Sequence, residues 1–213
     1  MRRISGRSIA IAALLLGTAW AAYAGGWSII TINDFPDYAL TGKPLTLTFS
    51  VRQHGNKLLG GLKPKILAST SGDLAVVATA TATANAGEYS ATLSLASPGD
   101  WTLRVDGGFN ADDRSRQYNS VVLPPLRVIS DASTAPEFSE AERGSRLLVT
   151  KGCVGCHAPG SEKDVTRKHL AAGYLKTFLA DPSLRKVDMP NLRLKEAEIS
   201  ALIAFINRSG GST

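Results

Sequence analysis

The chain has 213 residues, of which 44% are hydrophobic and 20% charged, with a formal net charge of +6. This length allows one large or two small domains. The basic residues form no run with interleaved aromatic side chains, so nucleic-acid binding is not expected.

The N-terminal 24 residues have the pattern of a secretory signal peptide. Arg2, Arg3 and Arg7 precede an apolar run from Ile9 to Ala22, and Ala22-Tyr23-Ala24 fits an A-x-A cleavage site. We therefore expect residues 1–24 to be removed and the protein to be periplasmic or otherwise extracytoplasmic. The alternative is an uncleaved segment that anchors the protein in the membrane, although the apolar run is shorter than the roughly 20 residues of a comfortable span.

Residues 25–130 read as a series of short strands separated by turns. Leu45, Leu47, Phe49 and Val51 alternate with polar residues, which is typical of a half-buried strand. Similar stretches lie at Trp27–Phe35, Leu62–Ser69, Leu74–Ala84, Tyr89–Leu95, Trp101–Val105 and Val121–Ile129. Seven strands at this spacing predict an immunoglobulin-like β-sandwich. The stretch from Gly87-Glu88-Tyr89 to Gly99-Asp100-Trp101 resembles the YtkA-like and FixH-like sandwich domains of bacterial envelope proteins, which differ in role among themselves.

Residues 131–136 are small and polar and predict a linker, after which residues 137–213 read as helical. Ser139-Glu140-Ala141-Glu142 fits a capping box at the start of a first helix. A second helix contains Leu170, Tyr174, Leu175, Phe178 and Leu179 and stops at Asp181-Pro182. Ile199, Leu202, Ile203 and Ile206 follow the i, i+3, i+4, i+7 spacing of a C-terminal helix.

The segment Cys153-Val154-Gly155-Cys156-His157 contains the only two cysteines of the chain. C-x-x-C-H is the attachment signature of a c-type haem, in which both thiols form thioethers and the histidine ligates the iron. The other interpretations are a thioredoxin-type redox pair and half of a zinc site. No βαβ unit precedes the motif and no second cysteine pair exists, so we expect one covalent haem c as the cofactor.

Met189 is the only methionine besides Met1, and it precedes Pro190 in an irregular stretch between two helices. A thioether sulfur suits haem iron, which makes Met189 the candidate sixth ligand. The alternative for Met189 is an apolar gap-filler. His169 is the competing axial ligand, and His54 is expected to face solvent in the β half.

With these residues in order, residues 137–208 resemble a small class I cytochrome c. The matching text includes Lys151-Gly152 with the motif, Tyr174-Leu175, Asp181-Pro182 and Met189-Pro190-Asn191-Leu192. The resemblance implies a C-terminal all-α cytochrome c fold, and therefore a two-domain β + α chain. It also implies that the first and last helices cross at Gly144, and it makes Pro159 the candidate support for the proximal His157.

The expected function is an exported one-electron carrier, or an electron-transfer subunit of an envelope redox complex, without catalysis of its own. The sandwich would dock or position a partner protein. A haem-based sensor from which Met189 dissociates, and a small peroxidase that uses His169, are the alternatives. Residues 137–213 carry twelve basic and nine acidic side chains. Five of the basic residues are expected to ring the haem edge and attract an acidic redox partner, or else to form an ordinary solvated surface: Lys151, Arg167, Lys168, Arg185 and Lys186.

Overall fold

The structure is a computed structural model that describes residues 27–70, 76–109, 119–167, 170–185 and 187–209. The predicted signal peptide, Lys168, His169 and Lys186 lie outside the described residues. Within the described part, no helix combines the length and the apolar character that a membrane crossing requires.

Two sheets face each other and form the β half of the molecule. The strands of the first sheet are β1 (Ser28–Ile32), β3 (Pro44–Gln53), β4 (Lys57–Leu58), β7 (Thr81–Ala82) and β8 (Glu88–Ser94). Those of the second are β2 (Tyr38–Leu40), β5 (Lys65–Ser69), β6 (Val76–Thr79), β9 (Gly99–Asp106), β10 (Ser120–Val122) and β11 (Leu126–Ile129). The first sheet has the order β1-β3-β8-β7, with β4 paired to β3, and the second has the order β2-β11-β9-β5-β6, with β10 paired to β9. The predicted immunoglobulin-like β-sandwich is confirmed.

Alternation along the strands fills the space between the two sheets. The fully enclosed side chains are those that the period-two pattern placed inward, among them Leu47, Phe49, Val51, Tyr89, Trp101, Leu103 and Val105. Each such side chain contributes about 1.5–3 kcal/mol by leaving water. The polar ends of the two large aromatics are satisfied, since Tyr89 Oη donates to the Leu59 carbonyl at 2.8 Å and Trp101 Nε1 to the Ser97 carbonyl at 3.0 Å.

Several strand assignments differ from the prediction. Within the stretch predicted as one strand from Leu74 to Ala84, the described residues form β6 and β7, which belong to different sheets, and β4 was not predicted. The stretch 121–129 is divided between β10 and β11 because Pro124 and Pro125 have no N–H to donate to a neighbouring strand. β2 was not predicted as a strand. It pairs in parallel with β11, from Tyr38 opposite Arg127 to Leu40 opposite Ile129, and such a long-range pairing leaves no local signal.

The second half contains α1 (Glu140–Thr150), α2 (Ala172–Ala180) and α3 (Glu196–Ser209), joined by irregular segments and short 3-10 turns. The predicted capping box is present: Ser139 accepts from the Glu142 N–H, and the Glu142 carboxylate accepts from the Ser139 N–H at 2.8 Å. All three predicted helices are present, but α2 begins at Ala172, so Leu170, which was predicted to belong to it, lies outside the helix.

The helices α1 and α3 cross at Gly144, as expected. A Cβ at this position would overlap the carbonyl oxygen of Ala201 and lie 2.7 Å from Phe205 Cβ. Glycine is therefore the residue that allows the two backbones to approach so closely, because it has no side chain.

The predicted fold class, a sandwich followed by an all-α domain of the cytochrome c fold, was wrong in its second half. The chain is mostly β, and the described residues beyond β11 hold only three short α-helices, of 11, 9 and 14 residues. Periodicity locates helices but carries no information about how they are assembled. These helices share six buried side chains, Leu148, Leu175, Leu179, Ile199, Leu202 and Ile206, and the segment also packs against the sandwich.

Charged side chains connect α1 and α3 to the loop that follows β1. Arg143 forms an ion pair with Asp37 at 2.7 Å, and Lys195 forms one with Asp34 at 2.6 Å. Arg146 donates to the carbonyls of Pro36 and Pro125 while its guanidinium lies over the Phe35 and Phe138 rings. The exposed ion pairs contribute little, about 0–1 kcal/mol each, so we attribute most of the attachment to Arg146 and the buried contacts described below.

Candidate functional site

A cavity of about 320 Å³ lies between the cysteine motif, the segment 187–192 and β1. The structure brings Cys153, Cys156, His157 and Met189 together around it. The remaining lining residues are five apolar ones, two glycines and four polar ones: Ile29, Phe178, Val187, Pro190 and Leu192, then Gly55 and Gly152, then Thr31, Lys151, Lys163 and Asp188. The cavity is thus built jointly by the helical segment and the sandwich.

The cysteine motif begins directly after α1 and is turned by Gly152. This glycine has a φ of +76°, and a Cβ on it would overlap Ile29 Cγ2 and lie 2.8 Å from the Ile30 carbonyl oxygen. The chain then forms one 3-10 turn over Cys153–Gly155, and the N–H of His157 donates to the Cys153 carbonyl at 2.8 Å. This turn places both thiols and the imidazole on the same cavity.

Both thiols are free and half-buried. Burial raises the pKa of the Cys153 thiol from its ordinary 9.0 to about 11, although the nearby Lys151 charge opposes the shift. Burial also raises the pKa of Cys156. Thioredoxin-type pairs depend on a lowered thiol pKa, so this environment argues against that alternative. In the described residues no group of three or more His, Cys, Asp or Glu side chains is arranged to hold a metal ion.

The imidazole of His157 is oriented by a backbone carbonyl. Its Nδ1 lies 2.7 Å from the carbonyl oxygen of Lys163. A carbonyl only accepts, so Nδ1 carries a proton, and in the neutral ring the lone pair suited to a metal is on Nε2. The expectation that Pro159 supports this histidine was wrong, because the chain continues past Pro159 and returns at Lys163.

Asp164 stabilises the loop that brings the Lys163 carbonyl to His157. Its carboxylate accepts from the Gly160 N–H at 2.7 Å and from the Thr166 N–H and hydroxyl at 2.9 and 2.6 Å. The Thr166 hydroxyl and then the Gly160 N–H lower the pKa of Asp164. The ionised Asp164 therefore fixes the loop from which Lys163 reaches His157.

Met189 lies in an irregular segment between the turn Pro182–Arg185 and α3. Its side chain is half-buried and packs against the cluster that includes Leu148 and Leu202. The neighbouring Asp188 accepts from Asn56 Nδ2 of the sandwich at 2.6 Å. The segment is therefore tied to the β half one residue before Met189.

Lys151 is a buried structural cation and no part of a surface ring. Its Nζ pairs with Glu198 Oε1 at 2.8 Å and donates to the Asn33 carbonyl at 2.6 Å, and its side chain is 9% exposed. Its carbonyl accepts from the Thr31 hydroxyl at 3.4 Å. Lys151 thus joins α1, α3 and β1 next to the cysteine motif. Of the other residues predicted for the ring, Arg167 and Arg185 are exposed.

His54 is exposed, as expected, in the turn after β3. It has a positive φ of 51° and its ring centroid lies 5.8 Å from that of Trp27. It does not line the cavity.

The sequence reasoning missed the contributions of Ile29, Asn56 and the Lys163 carbonyl. A backbone acceptor carries no residue-type signal, and Ile29 and Asn56 are ordinary strand and turn residues in sequence. Lys151 lies two residues before Cys153, but nothing local distinguishes a buried lysine from a solvated one.

The chain matches no family model and no curated protein. Among solved structures, it is similar to the Lin-41 filamin domain at 15% identity and a TM-score of 0.36, over 50% of this chain and 100% of that one. It is similar to Salmonella alpha-2-macroglobulin at 16% identity and a TM-score of 0.38, over 55% of this chain and 7% of that one. The CARDB domain of the PF1109 protein from Pyrococcus furiosus is 16% identical, with a TM-score of 0.30, over 50% of this chain and 91% of that one. None of the three is named as a cytochrome, and at these scores they add no argument about function.

Proposed function

We propose that this protein carries one haem c, covalently attached through Cys153 and Cys156, and acts as an exported one-electron carrier. The observation that supports the proposal best is the cavity that both thiols, His157 and Met189 share. The raised pKa of both thiols does not favour the alternative of a redox dithiol.

The residues around the cavity fit such a group. Two thiols lie on one wall, an imidazole has its Nε2 lone pair free, and a thioether sulfur lies on the segment 187–192. The apolar side chains of Ile29, Phe178 and Leu192 supply walls suited to a flat apolar ring system. The cavity is also open to solvent through exposed neighbours such as Val187.

When bound, a haem supplies an iron that gains or loses one electron, at a potential that a histidine–methionine ligand pair raises. His157 is the candidate proximal ligand, because the Lys163 carbonyl fixes its tautomer and ring orientation. Met189 is the candidate sixth ligand. With both positions taken, these residues would prevent substrates from reaching the metal, which favours electron transfer over catalysis.

We propose a redox protein of the cell envelope as the partner. Lys163 lies on the cavity, and Arg167 and Arg185 are exposed on the same helical segment. The Arg185 guanidinium lies 5.2 Å from the centroid of the Tyr174 ring, which is itself partly exposed. Positive charge beside an open cavity favours an acidic partner through faster association at low salt.

Expression in a bacterium with a periplasmic haem c maturation system tests the proposal. We expect a mass increase of one haem that survives denaturation, and a low-spin absorption spectrum in both oxidation states. Cys153→Ala and Cys156→Ala should each remove one thioether, and Met189→Ala should remove the spectroscopic signature of the sulfur ligand. A full-length protein without covalent haem would contradict the proposal, and a high-spin native spectrum would contradict the role of Met189.

A further inference from the structure

We propose that the sandwich holds the segment 187–190, which contains Met189, in place over the cavity. Asn56, in the turn between β3 and β4, is the positioning residue. The inference rests on the proposed function for what the cavity holds, and on the contacts below for how the segment is held. It assigns the β half a role at the site itself, beyond docking a partner.

The sandwich forms one wall of the cavity. Ile29 is 7% exposed and lies against the motif, where a Cβ on Gly155 would come within 3.0 Å of Ile29 Cγ1. Thr31 and Gly55 line the same cavity. The motif side is held firmly by this packing and by the buried Lys151–Glu198 pair. The motif and the sandwich therefore form a fixed frame.

The segment 187–190 lies across the cavity from the motif and the sandwich, and it forms few side-chain hydrogen bonds. Among the described residues, its side-chain bond to another element is the one from Asn56 Nδ2 to Asp188 Oδ1, at 2.6 Å. Farther along, Asn191 Nδ2 donates to Asp181 Oδ1 at 3.3 Å. The Asn56 bond therefore fixes the backbone one residue before Met189, whose side chain packs against the cluster that includes Leu148 and Leu202.

The turn that presents Asn56 is well defined. His54 and Gly55 both have positive φ, of 51° and 80°, and the Asn56 N–H donates to the Gln53 carbonyl at 3.1 Å. Because the acceptor Asp188 is a carboxylate, the hydrogen bond from Asn56 is charge-assisted and stronger than a hydrogen bond between two neutral amides. Asn56 and Asp188 are both exposed, so the bond lies at the solvent side of the cavity, where a competing ligand would enter.

Loss of this bond should release the segment and weaken the hold of Met189. Imidazole is a suitable probe because it competes for the position that Met189 would occupy. We expect Asn56→Ala to bind imidazole about three- to tenfold more tightly than the wild-type haem protein, the change that one lost hydrogen bond allows. Asn56→Asp, which places two carboxylates together, should bind it at least as tightly, with an effect that shrinks at high salt.

The experiment combines an imidazole titration of the ferric full-length protein with amide hydrogen exchange over residues 187–189, which should be faster in Asn56→Ala. Asn85→Ala is the matched control, since Asn85 is also an exposed turn asparagine that donates to a carboxylate, Glu88, at 2.8 Å. Unchanged imidazole affinity and unchanged exchange in Asn56→Ala would overturn the inference. A wild-type chain without haem would instead overturn the proposed function, and the exchange measurement would still test the hold on the segment.

Discussion

The crossing of α1 and α3 at Gly144 provides the sharpest test of the helical packing. In Gly144→Ala the new Cβ would overlap the Ala201 carbonyl and lie 2.7 Å from Phe205 Cβ. The Ala201 carbonyl is backbone inside a helix, so it moves only if the whole of α3 moves. The substitution therefore separates the two helices or strains both.

The expected cost follows from two opposing effects. Overpacking of this kind costs about 3 kcal/mol at the upper end of the usual range. Replacing a helical glycine by alanine returns up to about 1 kcal/mol, because alanine loses less backbone entropy on folding. The net loss is about 2 kcal/mol, which for a chain of this size lowers the melting temperature by about 4–8 °C.

Gly173 offers a matched control, since it lies near the start of α2 and a Cβ there would have nothing within 4 Å. Gly173→Ala should raise the melting temperature slightly, by the gain in helix propensity alone. Thermal unfolding followed by circular dichroism measures both variants. A Gly144→Ala protein as stable as Gly173→Ala would refute the close crossing of the helices.

Three further predictions concern charges and thiols. Lys151→Met removes the ammonium partner of Glu198, which is 14% exposed and keeps the Lys195 N–H, and should cost about 3 kcal/mol in urea unfolding, the low end for a buried pair, whereas the Lys151→Met/Glu198→Leu double variant should recover most of that loss. In the chain with free thiols, the unfolding free energy should fall between pH 9.0 and about pH 11, because the raised pKa of Cys153 keeps the folded thiol protonated while the unfolded thiol ionises; Cys153→Ser should show a smaller decline, which comes from Cys156, whose pKa burial also raises. The lowered pKa of Asp164 means that its contribution is present above its ordinary value of 3.8 and is lost as the pH falls further, so the Gly160 amide resonance should titrate below pH 3.8 in the wild type and not in Asp164→Asn.

The parts of the fold that the sequence predicted are those with local causes. Alternation identified the strand that contains Leu47, Phe49 and Val51, and all three side chains are fully enclosed. The capping box at Ser139 and the apolar spacing of α3 identified helix positions in the same way. In each case the signal lies within a few residues of the element that it specifies.

The parts that were missed depend on residues far apart in the chain. Lys151 was grouped with surface cations because its partners Glu198 and Asn33 lie on other elements. The all-α domain was predicted wrongly for the same reason, since the helical segment packs against the sandwich through long-range contacts such as that of Gly152 with Ile29. The four candidate site residues were chosen for their chemistry, and the structure adds that the β half closes their cavity through Ile29.

The fit of Gly152 against Ile29 has a consequence for the order of events during maturation. Once the motif is docked on β1, Cys153 is half-buried and its pKa, raised from 9.0 to about 11, leaves a smaller fraction of thiolate than in the undocked chain. A thiol in that state is a poor nucleophile and a poor target for any enzyme that must grasp the peptide around it. Covalent modification of Cys153 is therefore favoured while the motif is still undocked. Docking of the motif on β1 afterwards would bury the modified side chain against Ile29.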